Sequence, residues 1–408
     1  MASFIGSARS AIVDGRAFRR DPLAFILGLG TSIDILRFRV GLTDFTLVNH
    51  PDLVRRVLVT DSQLYGEGKW TQRGKHVMGD CLITLQGGPH HRRRALVNPS
   101  FELRRIAEHA SAMVRHTERL AGRWRSGEVI DAHREMGRLA ITMAGDALFD
   151  EDLAGEADEL LAALSVLLAA IPRLPLPRLR VRAARRRVAR TAARLTRGHL
   201  VPRLRAAGLN DAAVRDEVVS LLIAAIDTTP RGLAWTWFLL GRHPAVELRM
   251  HDELAAVLGG RAPVVDDLAR LPFLERILNE SLRLYPPVHF IDRRPVADVE
   301  LGGERLRAGS YLLLSPLVTQ RDPRFFDDPG SFRPERWGAE DGGPSPARLS
   351  FPFGAGPHGC VGERLARLEM SLALATLAQR WRLRPSPELP TAPSPQTQPL
   401  RMILEPRG

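Results

Sequence analysis

Cys360 stands in the run Phe353-Gly354-Ala355-Gly356-Pro357-His358-Gly359-Cys360-Val361-Gly362, just before a helical pattern that opens at Glu363. Glycines on both sides let the backbone turn tightly and approach a flat ligand closely. The helix that follows brings its positive end near the sulfur, which favours thiolate, the metal-binding form. Backbone N–H groups of such a turn can donate to the sulfur and tune a metal's potential. Taken alone, a cysteine in such a turn is more often structural. A second candidate is Ala224-Ala225-Ile226-Asp227-Thr228-Thr229, in the middle of an apolar helical stretch. An acid and a hydroxyl there are costly unless water or backbone receives them. Thr228 can bond the carbonyl one turn back and open the helix slightly, leaving room for a water, and Asp227 can supply protons. The alternative is a back-bonded kink with no catalytic part. A third is Glu280-Ser281-Leu282-Arg283, whose i, i+3 spacing sets acid and base side by side. By itself that pair reads as an ordinary surface salt bridge.

Long helices must carry these groups. Amphipathic periodicity predicts helices over Arg104–Arg125, Asp131–Leu148, Leu153–Ala170, Arg180–Ala207 and Asp216–Gly241, then Ala245–Leu258, Phe273–Leu284 and Glu363–Trp381. The first third opens with helix, and alternation in Ile35–Val40 and Phe45–Val48 reads as a small hairpin. Strand pieces return near Val299–Leu301, Tyr311–Ser315 and the C-terminal tail, and Arg321–Leu349, rich in Pro, Asp and Gly, reads as an ordered meander. Between the arginine-rich helix and Asp216 only the short loop Gly208-Leu209-Asn210-Asp211 is expected. No repeat or Gly/Ser linker divides the chain. Residues 1–408 are read as one domain, mainly α, with small peripheral β-sheets.

Composition narrows the partners. The net charge is +12 and the pI near 10.9, yet the excess is nearly all arginine, lysine standing only at Lys69 and Lys75. No zinc-finger or aromatic-basic motif accompanies it, so nucleic acid is not expected. The arginines of Arg173–Arg205 read as a solvated helix face with Ala and Val behind it; a surface for an acidic lipid or partner is the alternative. Cys81 and Cys360 are the two cysteines, which argues against a disulfide framework and for a reducing cytoplasm. The apolar run Leu23–Leu29 is far short of the ~20 residues a spanning helix needs, so no transmembrane anchor or secretory signal is expected.

The spacing Phe353-x-x-Gly356-x-x-x-Cys360-x-Gly362 resembles the haem-binding signature of the cytochrome P-450 family of haem-thiolate monooxygenases, soluble bacterial type. The resemblance implies haem b with Cys360 as axial ligand. It departs at His358, where the family usually has an arginine donating to a haem propionate; histidine still donates, with a charge that depends on pH, so haem retention is expected to weaken as pH rises. His90 and Arg94 match the family's W/H-x-x-x-R pair, both propionate donors, and Arg293 matches the third partner ahead of Arg294. Phe332-Arg333-Pro334-Glu335-Arg336-Trp337 is similar to the segment whose arginine joins the E-x-x-R pair, implying a buried structural network of Glu280, Arg283 and Arg336. Ala224–Thr229 is similar to the oxygen-activating motif, with Asp227 and Thr228 catalytic. Two departures mark it: Ala225 replaces the usual glycine, and Pro230 removes an N–H that would bond Ile226 C=O, which we read as compensation.

The implied reaction is insertion of one oxygen atom from O2 into a C–H bond or alkene. Electrons are expected from NAD(P)H through an external reductase and an acidic ferredoxin or flavodoxin docking near the basic cysteine side. By resemblance the pocket is lined by Leu82, Ile83, Leu222, Ala225, Val288, His289 and Ile291; His289 reads equally well as a surface-loop residue. That lining points to a hydrophobic small molecule, a secondary metabolite, with a terpenoid ahead of a polyketide or fatty acid, since Tyr285-Pro286-Pro287-Val288 resembles terpene-oxidising bacterial members. A peroxide-driven peroxygenase and a non-catalytic haem-thiolate sensor are the competing readings, and the Asp227–Thr228 pair argues against both.

Overall fold

The computed structural model describes residues 9–12, 22–28, 33–40, 42–170, 178–338, 346–390, 394 and 399–407. Helices dominate, and the largest, Asp211–Arg242, runs through the middle of the main apolar core. It begins five residues before the expected Asp216, because Asn210 caps it by accepting from Ala213 N at 2.9 Å. The link from the arginine-rich region is thus shorter still than the sequence suggested. Trp235, Trp237, Leu233 and Leu240 are buried along this helix. Packed on it are Ala132–Phe149, Pro272–Leu284 and Glu363–Leu377, the helix that follows Cys360.

Two expected helices are each broken in two. Arg104–Arg125 divides into Leu103–Ala107 and Ala110–Ala121; at the break His109 Nδ1 lies 3.0 Å from Asp146 Oδ1. Arg180–Ala207 divides into Arg178–Arg194 and Leu200–Ala206. Here Gly198 takes φ +72°, and a Cβ on it would stand 2.7 Å from Leu148 O. The chain must cross that neighbouring helix end closely, and periodicity carries no sign of it. On Arg178–Arg194, Ala184, Val188 and Ala192 are buried while Arg180, Arg182, Arg185, Arg186 and Arg190 are exposed or partly so, the arrangement of a solvated face. The cysteine helix ends at Leu377, and Trp381 starts a strand instead. Residues 173–177 of the arginine-rich stretch and 339–345 of the meander lie outside the described residues.

A six-stranded sheet covers one side, in the order Arg9–Ile12, Ile35–Val40, Thr43–Val48, Tyr311–Leu314, Ile291–Pro295, Tyr65–Glu67. The hairpin forms where alternation placed it, with Phe38 opposite Phe45 and their rings stacked at 5.3 Å. At the other edge Glu67 is the register partner of Arg293. A three-stranded sheet joins Trp381–Pro385, Arg401–Pro406 and Val129–Asp131, and a hairpin pairs Val299–Leu301 with Glu304–Leu306. The opening of the chain thus holds the strand Arg9–Ile12 as well as the helix Pro22–Gly28. Among the described residues no helix is long and apolar enough to cross a membrane.

Candidate active site

The cysteine loop is fixed by backbone contacts that admit few alternatives. Cys360 N donates to Phe353 O at 2.8 Å, closing the turn. Gly354 and Gly356 both have φ +69°, and a Cβ on Gly356 would sit 1.9 Å from Leu58 O. Glycine is therefore demanded at 356 twice over, by conformation and by space. Gly362 has an ordinary φ of −88°; a Cβ there would be 3.9 Å from the Cys360 sulfur. The Arg367 guanidinium covers the Phe353 ring at 5.0 Å.

Cys360 is exposed by surface area yet closely surrounded by protein, so its thiol lines a concavity. The expectation that the turn lowers its pKa is not met by the protein groups alone. Burial pushes the thiol up, and the Glu363 carboxylate adds to this; the Gly362 N–H and the Arg94 cation work the other way. A bound metal deprotonates a coordinating thiol outright. Among the described residues no cluster of three or more His, Cys, Asp or Glu side chains could hold a bare ion. A lone cysteine would suit a metal whose remaining ligands come with a macrocycle.

Basic side chains gather beside the loop. His90 and His358 stack face to face, ring centroids 3.8 Å apart and 21° from parallel. His90 is 2% exposed and its Nδ1 is buried without a hydrogen-bond partner. Burial, with His358, His91 and Arg94 around it, pushes its pKa down to about 4. Arg94 Nη1 donates to Gly359 O at 2.5 Å, tying the helix Gly87–Val97 to the cysteine loop. Arg293 is buried and donates to Glu67 Oε2 at 2.8 Å, while His358 Nδ1 lies 2.8 Å from Glu67 Oε1. Arg294, one residue on, points to the other face of the strand, as pleating requires. Glu67 had no signal in the sequence; only strand register brings it here. An unpartnered buried imidazole nitrogen, a guanidinium and a second imidazole next to a cysteine in a concavity fit an iron porphyrin and its carboxylates.

On the central helix, Ala224, Ala225, Asp227 and Thr228 are partly open, whereas Ile226, Thr229 and Pro230 are buried. Thr228 Oγ1 donates to Ala224 O at 2.9 Å, and Arg231 Nε donates to Asp227 Oδ1 at 2.9 Å. The helix continues through Pro230. Behind it Thr229 faces Glu369 of the cysteine helix, whose carboxyl burial pushes up to about 8 against the opposing effect of the Thr229 hydroxyl. That contact, and Met370 against Gly232, place the central helix directly on the helix that begins at the cysteine loop.

The Glu280 network is assembled in full. Arg283 Nε and Nη2 donate to Glu280 Oε2 and Oε1, both at 2.8 Å, and Arg336 Nε to Oε1 at 2.9 Å. Trp337 Nε1 and Arg333 N complete the shell at 2.9 and 3.0 Å. Arg283 also donates to the carbonyls of Gln320, Pro329 and Ser331, which pins the meander.

The pocket candidates do not all behave alike. Leu222 is 1% exposed and packed in the main core, and Leu82 is buried in the same core, so these two side chains offer little surface to a ligand. Leu82 is 5% exposed, while Ile83 and Val288 are exposed and Ala225 and Ile291 half-buried. His289 is half-buried, and burial together with Arg231 and Arg321 pushes its pKa down to about 4, which is not the behaviour of a surface-loop imidazole.

Comparison with known proteins agrees with this geometry. Residues 198–408 match the family model described as Cytochrome P450. The chain is 37% identical to cyclooctatin synthase from Streptomyces melanosporofaciens, over 95% of this chain and 92% of the relative. It is 32% identical to pentalenene oxygenase from Streptomyces avermitilis, over 95% and 93%. A six-coordinated cytochrome P450 from Thermus thermophilus superposes with a TM-score of 0.77 at 28% identity, over 94% of this chain and 98% of that one. With the thiolate loop, the buried Glu280 network and the Asp227–Thr228 helix in one frame, the chain belongs to the cytochrome P450 family and is a haem-thiolate monooxygenase.

Proposed function

We propose that the protein oxygenates a cyclic terpenoid, using one domain of residues 1–408, with Cys360 as iron ligand and Asp227 and Thr228 as the proton-handling pair. The observation that carries the reaction is the open patch of Ala224, Ala225, Asp227 and Thr228 on a helix otherwise buried, packed on the helix that starts at the cysteine loop. The terpenoid class is supported by relatives matched over nearly their whole length, whose names specify cyclooctatin and pentalenene.

Haem b bound through the Cys360 sulfur supplies the reduction of O2 and the transfer of one oxygen atom to a C–H bond or alkene. His90, Arg94, His358 and Arg293 would hold its propionates. The Thr228 hydroxyl commits its proton to Ala224 O, which leaves its oxygen lone pairs free to accept from water or from a protonated group in the groove. Asp227 Oδ2, the oxygen that Arg231 Nε does not take, is left to accept from a water in the groove and so to order a proton path beside Thr228. Leu82, Ile83, Ala225, Val288 and Ile291 exclude water around the substrate, and His289, neutral at pH 7, is the polar group among them. Electrons come from NAD(P)H through a reductase and a ferredoxin or flavodoxin whose acidic face meets the basic side near Cys360; the cytoplasm is where such partners act.

Spectral titration of the purified ferric protein with terpenes, macrolides and fatty acids tests this. A low-to-high-spin shift with a terpene is expected. A shift with fatty acids or macrolides and none with terpenes would sink the assignment.

A further inference from the structure

The connection Gly79–Gln86, which carries Leu82 and Ile83, is held by a carboxylate that no step above uses. Glu217, in the first turns of the central helix, is fully buried. It accepts from Leu82 N through both oxygens, Oε2 at 3.1 Å and Oε1 at 3.3 Å, and from Arg93 Nη1 at 2.5 Å. Arg93 also reaches Asp80 O at 3.4 Å. The neighbouring Asp216 accepts from Asp80 N at 3.3 Å, and Gly79, at φ +78°, leaves no room for a Cβ, which would lie 1.9 Å from Asp216 Oδ2. Thr84 folds the segment on itself through Gly79 O at 2.7 Å and Cys81 N at 3.1 Å.

A buried carboxylate without a partner would be strongly disfavoured, so this one is retained by what it binds. Its partners are the backbone of the connection and Arg93. The residue after Arg93 is Arg94, whose guanidinium grips Gly359 O beside Cys360. Two consecutive arginines thus tie one helix to the connection on one side and to the cysteine loop on the other.

We propose that Glu217 is a positioning residue for substrate selection: its contacts with Leu82 N and Arg93 set the height of the Leu82–Ile83 segment relative to the cysteine loop. This rests on the reading of Leu82 and Ile83 as pocket residues. A rigid wall lets a bulky apolar ligand bind without first ordering the segment. A small ligand that reaches only the iron does not meet the wall.

The test uses the ferric holoenzyme with two probes, imidazole and 4-phenylimidazole, and hydrogen exchange across residues 79–86. Glu217→Ala leaves the half-buried Arg93 without its carboxylate and can fail to fold; Glu217→Leu combined with Arg93→Met removes both charges and keeps volume. In that double variant the Leu82 amide should exchange about tenfold faster or more, the scale of one lost hydrogen bond to a charged group. Affinity for 4-phenylimidazole should fall about tenfold while that for imidazole stays within about twofold. Glu217→Gln, which keeps an acceptor for Leu82 N, should recover most of the loss. Unchanged exchange at Leu82 overturns the tether itself. Faster exchange with unchanged 4-phenylimidazole affinity overturns the pocket reading, and the selection role falls with it.

Discussion

Arg231 turns back one helical turn and places its Nε 2.9 Å from Asp227 Oδ1, so the acid of the oxygen-side motif is already engaged within its own helix. The same guanidinium is a cation facing His289 and His133, lowering both after burial has done most of the work. Replacing Arg231 with Gln should raise the His289 pKa above its value of about 4 while leaving it below 6.5, because burial remains. Histidine-selective NMR of the diamagnetic ferrous carbonyl form reads this. In parallel, Asp227→Asn should lower turnover by about a hundredfold or more with an unchanged carbonyl spectrum. An Asp227→Asn enzyme with full turnover would remove the acid from the mechanism.

Cys360→Ser should abolish the thiolate-type carbonyl absorption. Gly356→Ala should leave little correctly loaded protein, since its Cβ would meet Leu58 O at 1.9 Å in a left-handed backbone. Haem content per chain and the carbonyl spectrum check both. Survival of the thiolate spectrum in Cys360→Ser would show that another residue binds the iron.

Arg283→Ala should cost about 3–5 kcal/mol, because it strands the fully buried Glu280 carboxylate and frees three carbonyls of the meander. Urea unfolding measures it. Arg336→Ala should cost less, since Glu280 keeps Arg283, Trp337 Nε1 and Arg333 N.

Two buried groups should bend the stability–pH curve in opposite directions. His251 is 1% exposed with both ring nitrogens unpartnered, and burial, aided by Arg407, Arg382 and Arg384, lowers it from 6.5 to about 4. The unfolded chain takes up that proton first, so its contribution is present above pH 6.5 and lost as pH falls toward 4. His251→Leu should flatten this limb. Glu369 is raised from 4.5 to about 8. Here the unfolded chain loses the proton first, so its contribution is present below pH 4.5 and lost as pH rises toward 8. Glu369→Gln should flatten that limb. Each limb has a slope of up to about 1.4 kcal/mol per pH unit. Urea midpoints of the two variants between about pH 4.5 and 8.5 decide the matter; curves parallel to the parent's in both would refute the assignments.

The sequence alone determined the features whose determinants are local. A cysteine flanked by glycines before a helix, an i, i+3 acid–base pair, and an acid and hydroxyl in an apolar helix are all readable from short stretches of chain. The helix Ala132–Phe149 and the Ile35–Val48 hairpin were equally legible, since periodicity and turn chemistry are short-range. Tertiary structure decided whatever depends on two distant segments meeting. The break at Gly198 exists because another helix end lies 2.7 Å from where a Cβ would be. Leu222 turned into the core because neighbouring helices close around the central one. Glu67 entered the basic cluster because strand register sets it opposite Arg293, and Glu217 acquired Leu82 and Arg93 because a connection folds back onto its helix. A carboxylate in a sequence carries no mark of which cation it will be buried against; only the packed chain supplies that partner.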